Sequence, residues 1–211
     1  MGVLPISART ISPMKRKVLK DLEDEIISCA RCRLAASRQH AVPGEGPEMA
    51  TVLLIGEAPG REEDRAGRPF VGRAGAILTS LLSIAGLGRD GVYITSVIKC
   101  RPPDNRMPKR DEITTCCPYL ERQIALIKPQ VIVPMGRVAT IAVSIVLGVD
   151  IKPIGNAHGK AVTATVPWGE VIVLPTYHPA AMTHNPRMRE PLERDFAALK
   201  VVLGNHLKRD I

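Results

Sequence analysis

Thr51-Val52-Leu53-Leu54-Ile55-Gly56, running straight into Glu57-Ala58-Pro59-Gly60-Arg61-Glu62-Glu63-Asp64, is the stretch from which the fold is read. A short apolar run bounded by turn formers has no in-and-out alternation, so it is expected as a strand buried on both faces, as in parallel sheets. Toward the C-terminus a polar loop, Glu57 to Val71, leads into an expected helix from Ala74 to Ala85. A strand at Val92 to Lys99, a helix at Asp111 to Ile127, a strand at Gln130 to Met135 and a helix at Arg137 to Leu147 follow. This alternation predicts an α/β fold: a parallel sheet with helices on both faces, a three-layer α/β/α sandwich. Ala161 to Val166 and Glu170 to Pro175 flank the turn Pro167-Trp168-Gly169, and a last helix is expected from Met188 to Leu203.

Toward the N-terminus, Pro43-Gly44-Glu45-Gly46-Pro47 is a connection. Before it, Ser12-Pro13 reads as a helix cap, with Leu19, Leu22, Ile26 and Ile27 at helical spacing. That helix closes at a Cys pair, and residues 1–13 are expected to be an irregular arm. A chain of 211 residues is long enough for one domain with a real core, and a single domain over 1–211 is the expectation. No run reaches the roughly 18 apolar residues of a membrane helix and the start lacks a secretory pattern, so the expected compartment is the cytoplasm, with no membrane partner and a monomeric state.

The excess of 29 Lys+Arg over 21 Asp+Glu, a net charge of +8, favours a polyanionic partner, while only 3% aromatic residues argues against a single-strand binder stacking many bases. In parallel α/β sheets ligands bind beyond the carboxyl ends of the strands, which singles out the loops from Glu57, Cys100 and Tyr177. Gly56 and Gly60 lack the dinucleotide spacing, and no phosphate-binding Gly-Lys loop occurs, so no nucleotide cofactor is expected.

Five cysteines occur, as Cys29-x-x-Cys32, Cys100 and the adjacent Cys116 and Cys117. The two-residue spacing lets Cys29 and Cys32 share one metal centre. Cys100 and Cys116 bracket a Pro-rich loop that can bring the other pair, and in a cytosolic protein a metal site is a better reading than a disulfide. Spacing leaves iron–sulfur, zinc and unligated thiols all open, and a one-residue slip would exchange Cys116 for Cys117.

Four segments occur together in order: Gly56-Glu57-Ala58-Pro59-Gly60, Gly67-Arg68-Pro69-Phe70-Val71-Gly72, Lys99-Cys100-Arg101-Pro102-Pro103 and Tyr177-His178-Pro179-Ala180-Ala181. Asn105-Arg106, Lys128-Pro129 and Gly136-Arg137 add agreement. As a set they resemble the family 4 uracil-DNA glycosylases, from about Cys29 to the last helix. The resemblance implies a central four-stranded parallel sheet and a [4Fe-4S] cluster on Cys29, Cys32, Cys100 and Cys116, deciding iron over zinc. It also implies a DNA substrate containing deaminated bases and hydrolysis of the N-glycosidic bond in base-excision repair.

That chemistry needs a flipped base in a pocket, and a site that stabilises the departing base and the cationic sugar. By the resemblance Phe70 stacks on the base, the amides after Gly56 meet its edge, and His178 donates to the oxygen on which negative charge develops. Glu57 and Glu63 line the pocket and are the carboxylates for the water or the sugar. Asp64 in the same loop is a third candidate carboxylate, the alternative for it being a loop-stabilising ion pair with a neighbouring Arg, and the sequence singles out none of the three.

One position departs from the family pattern. Where Tyr/Phe-Ile-Thr-Asn is typical, this chain has Tyr93-Ile94-Thr95-Ser96. A hydroxyl cannot present the paired donor and acceptor of an amide, so about 1–3 kcal/mol of base discrimination is at stake and hypoxanthine or xanthine enter as substrates. The competing reading is a damaged-DNA binding module of the same fold that does not cut. Beyond the histidine, Met182 is the expected wedge into the duplex, His184 shares its loop, and Arg187 and Arg189 fall where phosphates would pass.

Overall fold

The computed structural model describes residues 13–206; Ser12 and the arm before it lie outside the described residues. Helix α1 (Pro13–Ser28) buries Leu19, Leu22 and Ile26 and leaves Ile27 exposed, as a single inward stripe requires. The first strand is β1 (Val52–Gly56), buried at every position. After it come α2 (Arg61–Ala66), α3 (Arg73–Ile84), β2 (Tyr93–Ser96), α4 (Arg110–Ile127), β3 (Val131–Pro134) and α5 (Arg137–Leu147). The chain ends through α6 (Ile154–Ala157), β4 (Val162–Val166), β5 (Gly169–Val173), α7 (Ala181–His184) and α8 (Arg189–His206).

The strands lie in the order β2-β1-β3-β5-β4. β1 pairs in parallel with both β2 and β3, and β3 pairs in parallel with β5, giving the four parallel strands expected. A fifth strand adds to that count: β4 folds back antiparallel on β5. It is an edge strand with Ala164 buried and Thr163 and Thr165 exposed, a half-covered alternation that β1, β2 and β3, buried throughout, do not show.

Alternate strand residues feed two cores. Leu53, Ile55, Tyr93 and Ile132 pack with α1, α4 and α5 through Leu22, Leu120 and Val143; Val52, Leu54, Ile94 and Val133 pack with α3 and α8 through Leu78, Leu82 and Phe196. Burying each such Leu or Ile side chain contributes about 1.5–3 kcal/mol, so the sheet is held from both faces. The chain leaves β1 across the α3 face toward β2, and leaves β3 across the α5 face toward β5. The crevice where they part, beyond the carboxyl ends of β1 and β3, is where an open sheet binds ligands.

Two local features differ from the sequence expectation. The polar loop after β1 contains α2, whose first turn carries Glu62, Glu63 and Asp64 against the positive end of the helix. β2 ends at Ser96 rather than Lys99: the Val97 and Ile98 amides bond the Gly56 and Glu57 carbonyls at 2.9 and 3.2 Å, so the chain keeps beside the exit of β1. No described helix is long and apolar enough to cross a membrane.

Candidate active site

A cleft of about 380 Å³ opens at this crevice, and Glu57, Glu63, Phe70, Ser96, Asn105 and His178 are among its walls. Three chain segments far apart in sequence meet there: the loops leaving β1, β2 and β5.

Phe70 sits on the floor with 7% of its surface exposed, in a left-handed backbone conformation (φ 51°) that a bulky residue rarely adopts. Two glycines make room for it. A Cβ on Gly56 would stand 2.7 Å from the Phe70 ring, and one on Gly75 would stand 1.8 Å from the Phe70 carbonyl oxygen. The ring therefore lies directly across the end of β1, and α3 starts hard against its backbone.

His178 faces that ring, with centroids 5.6 Å apart and planes inclined at 28°. The Ala180 amide donates to His178 Nδ1 at 3.1 Å, so Nδ1 accepts and the neutral ring carries its proton on Nε2. Burial pushes the imidazole down to about 4, with Glu63 opposing, so at neutral pH the ring is an uncharged donor. Gly136, at φ 89°, lets this loop close in: a Cβ there would lie 3.1 Å from His178 Cβ.

The acids of the β1 loop divide their work. Glu63 accepts from the Gly60 amide at 3.1 Å and from the Val71 and Gly72 amides at 2.9 Å each, so its carboxylate ties both ends of the loop that carries Phe70. The Glu57 carboxylate has no hydrogen-bond partner among the described residues; half-burial raises it above the usual range, against the opposing charge of Arg137. Asp64 is buried and accepts from the Gln39 amide at 2.9 Å, a backbone clamp in place of an ion pair.

Ser96 is buried at the end of β2, its hydroxyl 3.2 Å from where a Gly56 Cβ would stand. Behind it Lys99, fully enclosed, donates to the Ser96 carbonyl at 2.6 Å, to Thr95 Oγ1 at 2.7 Å and to Gln123 Oε1 at 2.6 Å. Burial brings this ammonium down to about 8.

The cysteines gather on the other side of Lys99. Cys29, Cys32, Cys100 and Cys116 line one small cavity with Arg38 and Tyr119, and Cys117 is absent from its wall. Arg38 Nη1 donates to Cys100 Sγ at 2.9 Å and the Lys99 amide to Cys116 Sγ at 3.3 Å, the kind of donor that a bound thiolate accepts. Burial raises the Cys100 thiol and lifts Cys116 to about 11, so without a bound metal these sulfurs hold their protons. Among the described residues no group of three or more His, Cys, Asp or Glu is arranged to hold a single metal ion. Four soft donors around one cavity nonetheless fit an iron–sulfur group by their chemistry.

At the rim, His184 lines the cleft and is exposed, and Arg187 is exposed beyond it. Met182, the residue expected as the wedge, stands on α7 beside the cleft. It is half-buried and packs in part against the α3–α8 core. Arg189 pairs with Glu193 at 3.8 Å on its own helix. Asn105, noted in the sequence only as part of Asn105-Arg106 and given no site role there, also stands on the cleft wall: it has φ 55°, its Oδ1 accepts from Arg101 Nε at 2.7 Å, and its side-chain nitrogen remains as a donor. A polar residue two positions after a Pro-Pro pair was the available signal.

A doubly wound sheet with an aromatic floor, an uncharged imidazole donor and an unpaired carboxylate in one cleft defines a site for a planar polar ring. The family model described as the uracil DNA glycosylase superfamily matches residues 43–200, and the chain belongs to that superfamily, within its type-4 branch. It is 48% identical over 183 residues, 86% of this chain and 83% of the relative, to a type-4 uracil-DNA glycosylase of Sulfurisphaera tokodaii. With the type-4 uracil-DNA glycosylase of Archaeoglobus fulgidus it shares 43% over 187 residues, 88% of this chain and 94% of the relative. A type-5 uracil-DNA glycosylase of Pyrobaculum aerophilum matches at 32% over 196 residues, 78% of this chain and 84% of the relative.

Proposed function

We propose that this protein is a DNA glycosylase of base-excision repair that flips a deaminated base, uracil first, from DNA and hydrolyses its N-glycosidic bond. The observation that carries the reading is the locked tautomer of His178: Nδ1 is occupied by the Ala180 amide, leaving Nε2–H as an uncharged donor opposite the Phe70 ring. As the bond to the sugar lengthens, negative charge grows on the base oxygen, and a fixed donor there lowers the barrier without reorganising. Phe70 offers a stacking face worth about 1–3 kcal/mol, which offsets part of the cost of flipping.

Glu57 is the carboxylate for the water or the oxocarbenium-like sugar, because it has no other duty among the described residues; Glu63 works by holding the loop. Ser96 presents one hydroxyl where an amide would present a donor and an acceptor, which supports a wider base choice reaching hypoxanthine or xanthine. His184 and Arg187 are the DNA contacts. Cys29, Cys32, Cys100 and Cys116 are proposed to hold a [4Fe-4S] cluster. When bound it supplies cross-links tying the end of α1 to the loop after β2 and to α4.

A gel assay of base release from oligonucleotides carrying uracil, hypoxanthine or xanthine tests this. Release of uracil, slowed about 10²–10³-fold by His178→Ala, is expected. Retention of damaged duplex with no base released would instead favour a binding module, the reading that Ser96 keeps open.

A further inference from the structure

The strained backbone of Phe70 is held by a group from outside the loops that line the cleft. Arg89, in the turn before β2, donates Nη1 to the Phe70 carbonyl at 2.8 Å and Nη2 to the Pro69 carbonyl. The other edge of the same guanidinium meets Glu45, with Nε and Nη2 at 3.0 and 2.7 Å from Oε1. Glu45 is itself fixed. Its backbone pairs with Ile94 of β2 through bonds of 3.0 and 2.8 Å, Arg68 Nε donates to its Oε2 at 2.8 Å, and Gly44 and Gly46 flank it at φ 138° and 137°. A Cβ on Gly46 would lie 2.2 Å from the Val92 carbonyl, so only glycine lets the segment lie against β2 this closely.

We propose that Arg89, anchored on Glu45, is a positioning residue that holds the Phe70 ring in its base-stacking orientation; this rests on the reading of Phe70 as the stacking surface. A non-glycine residue at φ 51° returns to the extended or right-handed region unless its neighbours over-determine it. Here the carbonyls of Pro69 and Phe70 are held by Arg89, and the next two amides by Glu63. The guanidinium suits the task because its planar fork bonds two carbonyls and a carboxylate at once, which a lysine ammonium on a single point cannot do. Burial opposes ionisation of Glu45, yet the bonds from Arg68 and Arg89 hold its carboxyl below the usual range, so the anchor stays charged at neutral pH.

The test is a double-mutant cycle on single-turnover uracil release, with DNA affinity and melting midpoint measured for each variant. Phe70→Ala is expected to slow release by about 5- to 150-fold, the stacking loss converted at 1.4 kcal/mol per tenfold. Arg89→Gln is expected to slow it about tenfold with Phe70 present and less than about twofold in the Phe70→Ala background, with duplex affinity unchanged. Equal slowing in both backgrounds overturns the proposal and leaves the stacking reading intact. No effect of Phe70→Ala overturns the stacking reading, and this proposal with it. Arg89→Lys is expected to recover little of the rate; full recovery would mean that charge alone matters and would overturn the fork argument. Should Arg89→Gln lower the melting midpoint, Glu45→Gln runs the same cycle with Arg89 retained, and its failure to couple with Phe70→Ala counts against the proposal equally.

Discussion

The cleft and the cysteine corner lie on either side of Lys99 and solve opposite problems. In the cleft the protein completes itself: Phe70, Glu63 and His178 are fixed by backbone amides, carbonyls and glycine clearances, all from within the chain. In the corner the chain only collects. Four thiols line one cavity, and the bonds to them from Arg38 and the Lys99 amide accept an added group without replacing it. A preorganised catalytic site must exclude alternatives before its substrate arrives, whereas a cofactor site gains its rigidity from the bonds that the cofactor brings. Altering the corner should therefore move stability first, and altering the cleft should move rate first.

The largest effect is expected at the corner. Cys116→Ser should abolish absorbance near 400 nm in the purified protein and lower unfolding stability by about 4 kcal/mol or more, as loss of a metal site does. Denaturant titration checks it, and an unchanged midpoint with full colour would remove Cys116 from the ligand set. His178→Ala is the counterpart in the cleft: single-turnover release should fall by about 10²–10³-fold, the cost of one donor at a developing oxyanion, while the colour persists.

Ser96→Asn is expected to act more weakly and on selectivity alone. Restoring an amide at the end of β2 should raise the preference for uracil over hypoxanthine by about 5- to 150-fold, from the 1–3 kcal/mol of one bidentate contact. Competition cleavage with both substrates in one tube measures it; equal acceleration of both would show that position 96 does not read the base edge.

The pH response separates the two groups proposed to act on the scissile bond. His178 is depressed to about 4, so its donor form persists as pH falls to 5. Between its ordinary 6.5 and 4 the unfolded chain binds a proton that the folded chain refuses, so this residue withdraws stability as pH falls through that window. Glu57 is raised by burial, so as pH falls its ionised form is lost already at a pH above the usual carboxylate range. Release rate should therefore decline on the acid side through Glu57, and Glu57→Gln should give a slower enzyme whose acid limb is flat. An unchanged acid limb in that variant would assign it elsewhere.

The parts of the molecule legible in sequence are those set by local pattern. β1 and the helices α4 and α5 follow from apolar runs with punctuation at their ends, and the chemistry-bearing loops follow from the rule that α/β sheets bind at their carboxyl edge. α2 was not legible because a run of Arg, Glu and Asp carries no apolar stripe, and its first-turn acids act through the helix ends. The end of β2 at Ser96 depends on the amides of Val97 and Ile98 reaching back to β1, a contact across forty residues of chain. The Arg89–Glu45 clamp likewise joins residues 44 positions apart. How far Met182 is covered likewise depends on how α7 lies on the core, which its place in the loop does not reveal.

The smallest effect should come from the cysteine beside the one with the largest. Successive residues on a helix point about 100° apart, so of Cys116 and Cys117 on α4 only one can face a given wall, and that one is Cys116. Cys117 is half-buried, its thiol raised by burial and further by Glu121, and its sulfur lies off the shared cavity. Replacing it by Ser exchanges one small side chain for another at a partly wetted position, for which a change within about 0.5 kcal/mol is the norm. Cys117→Ser should therefore keep its colour, its midpoint and its rate, while Cys116→Ser loses at least the first two. If the pair behaved the other way round, α4 would have to be turned by one residue about its axis, which would also pull Tyr119, Leu120 and Ile124 out of the core that they now fill.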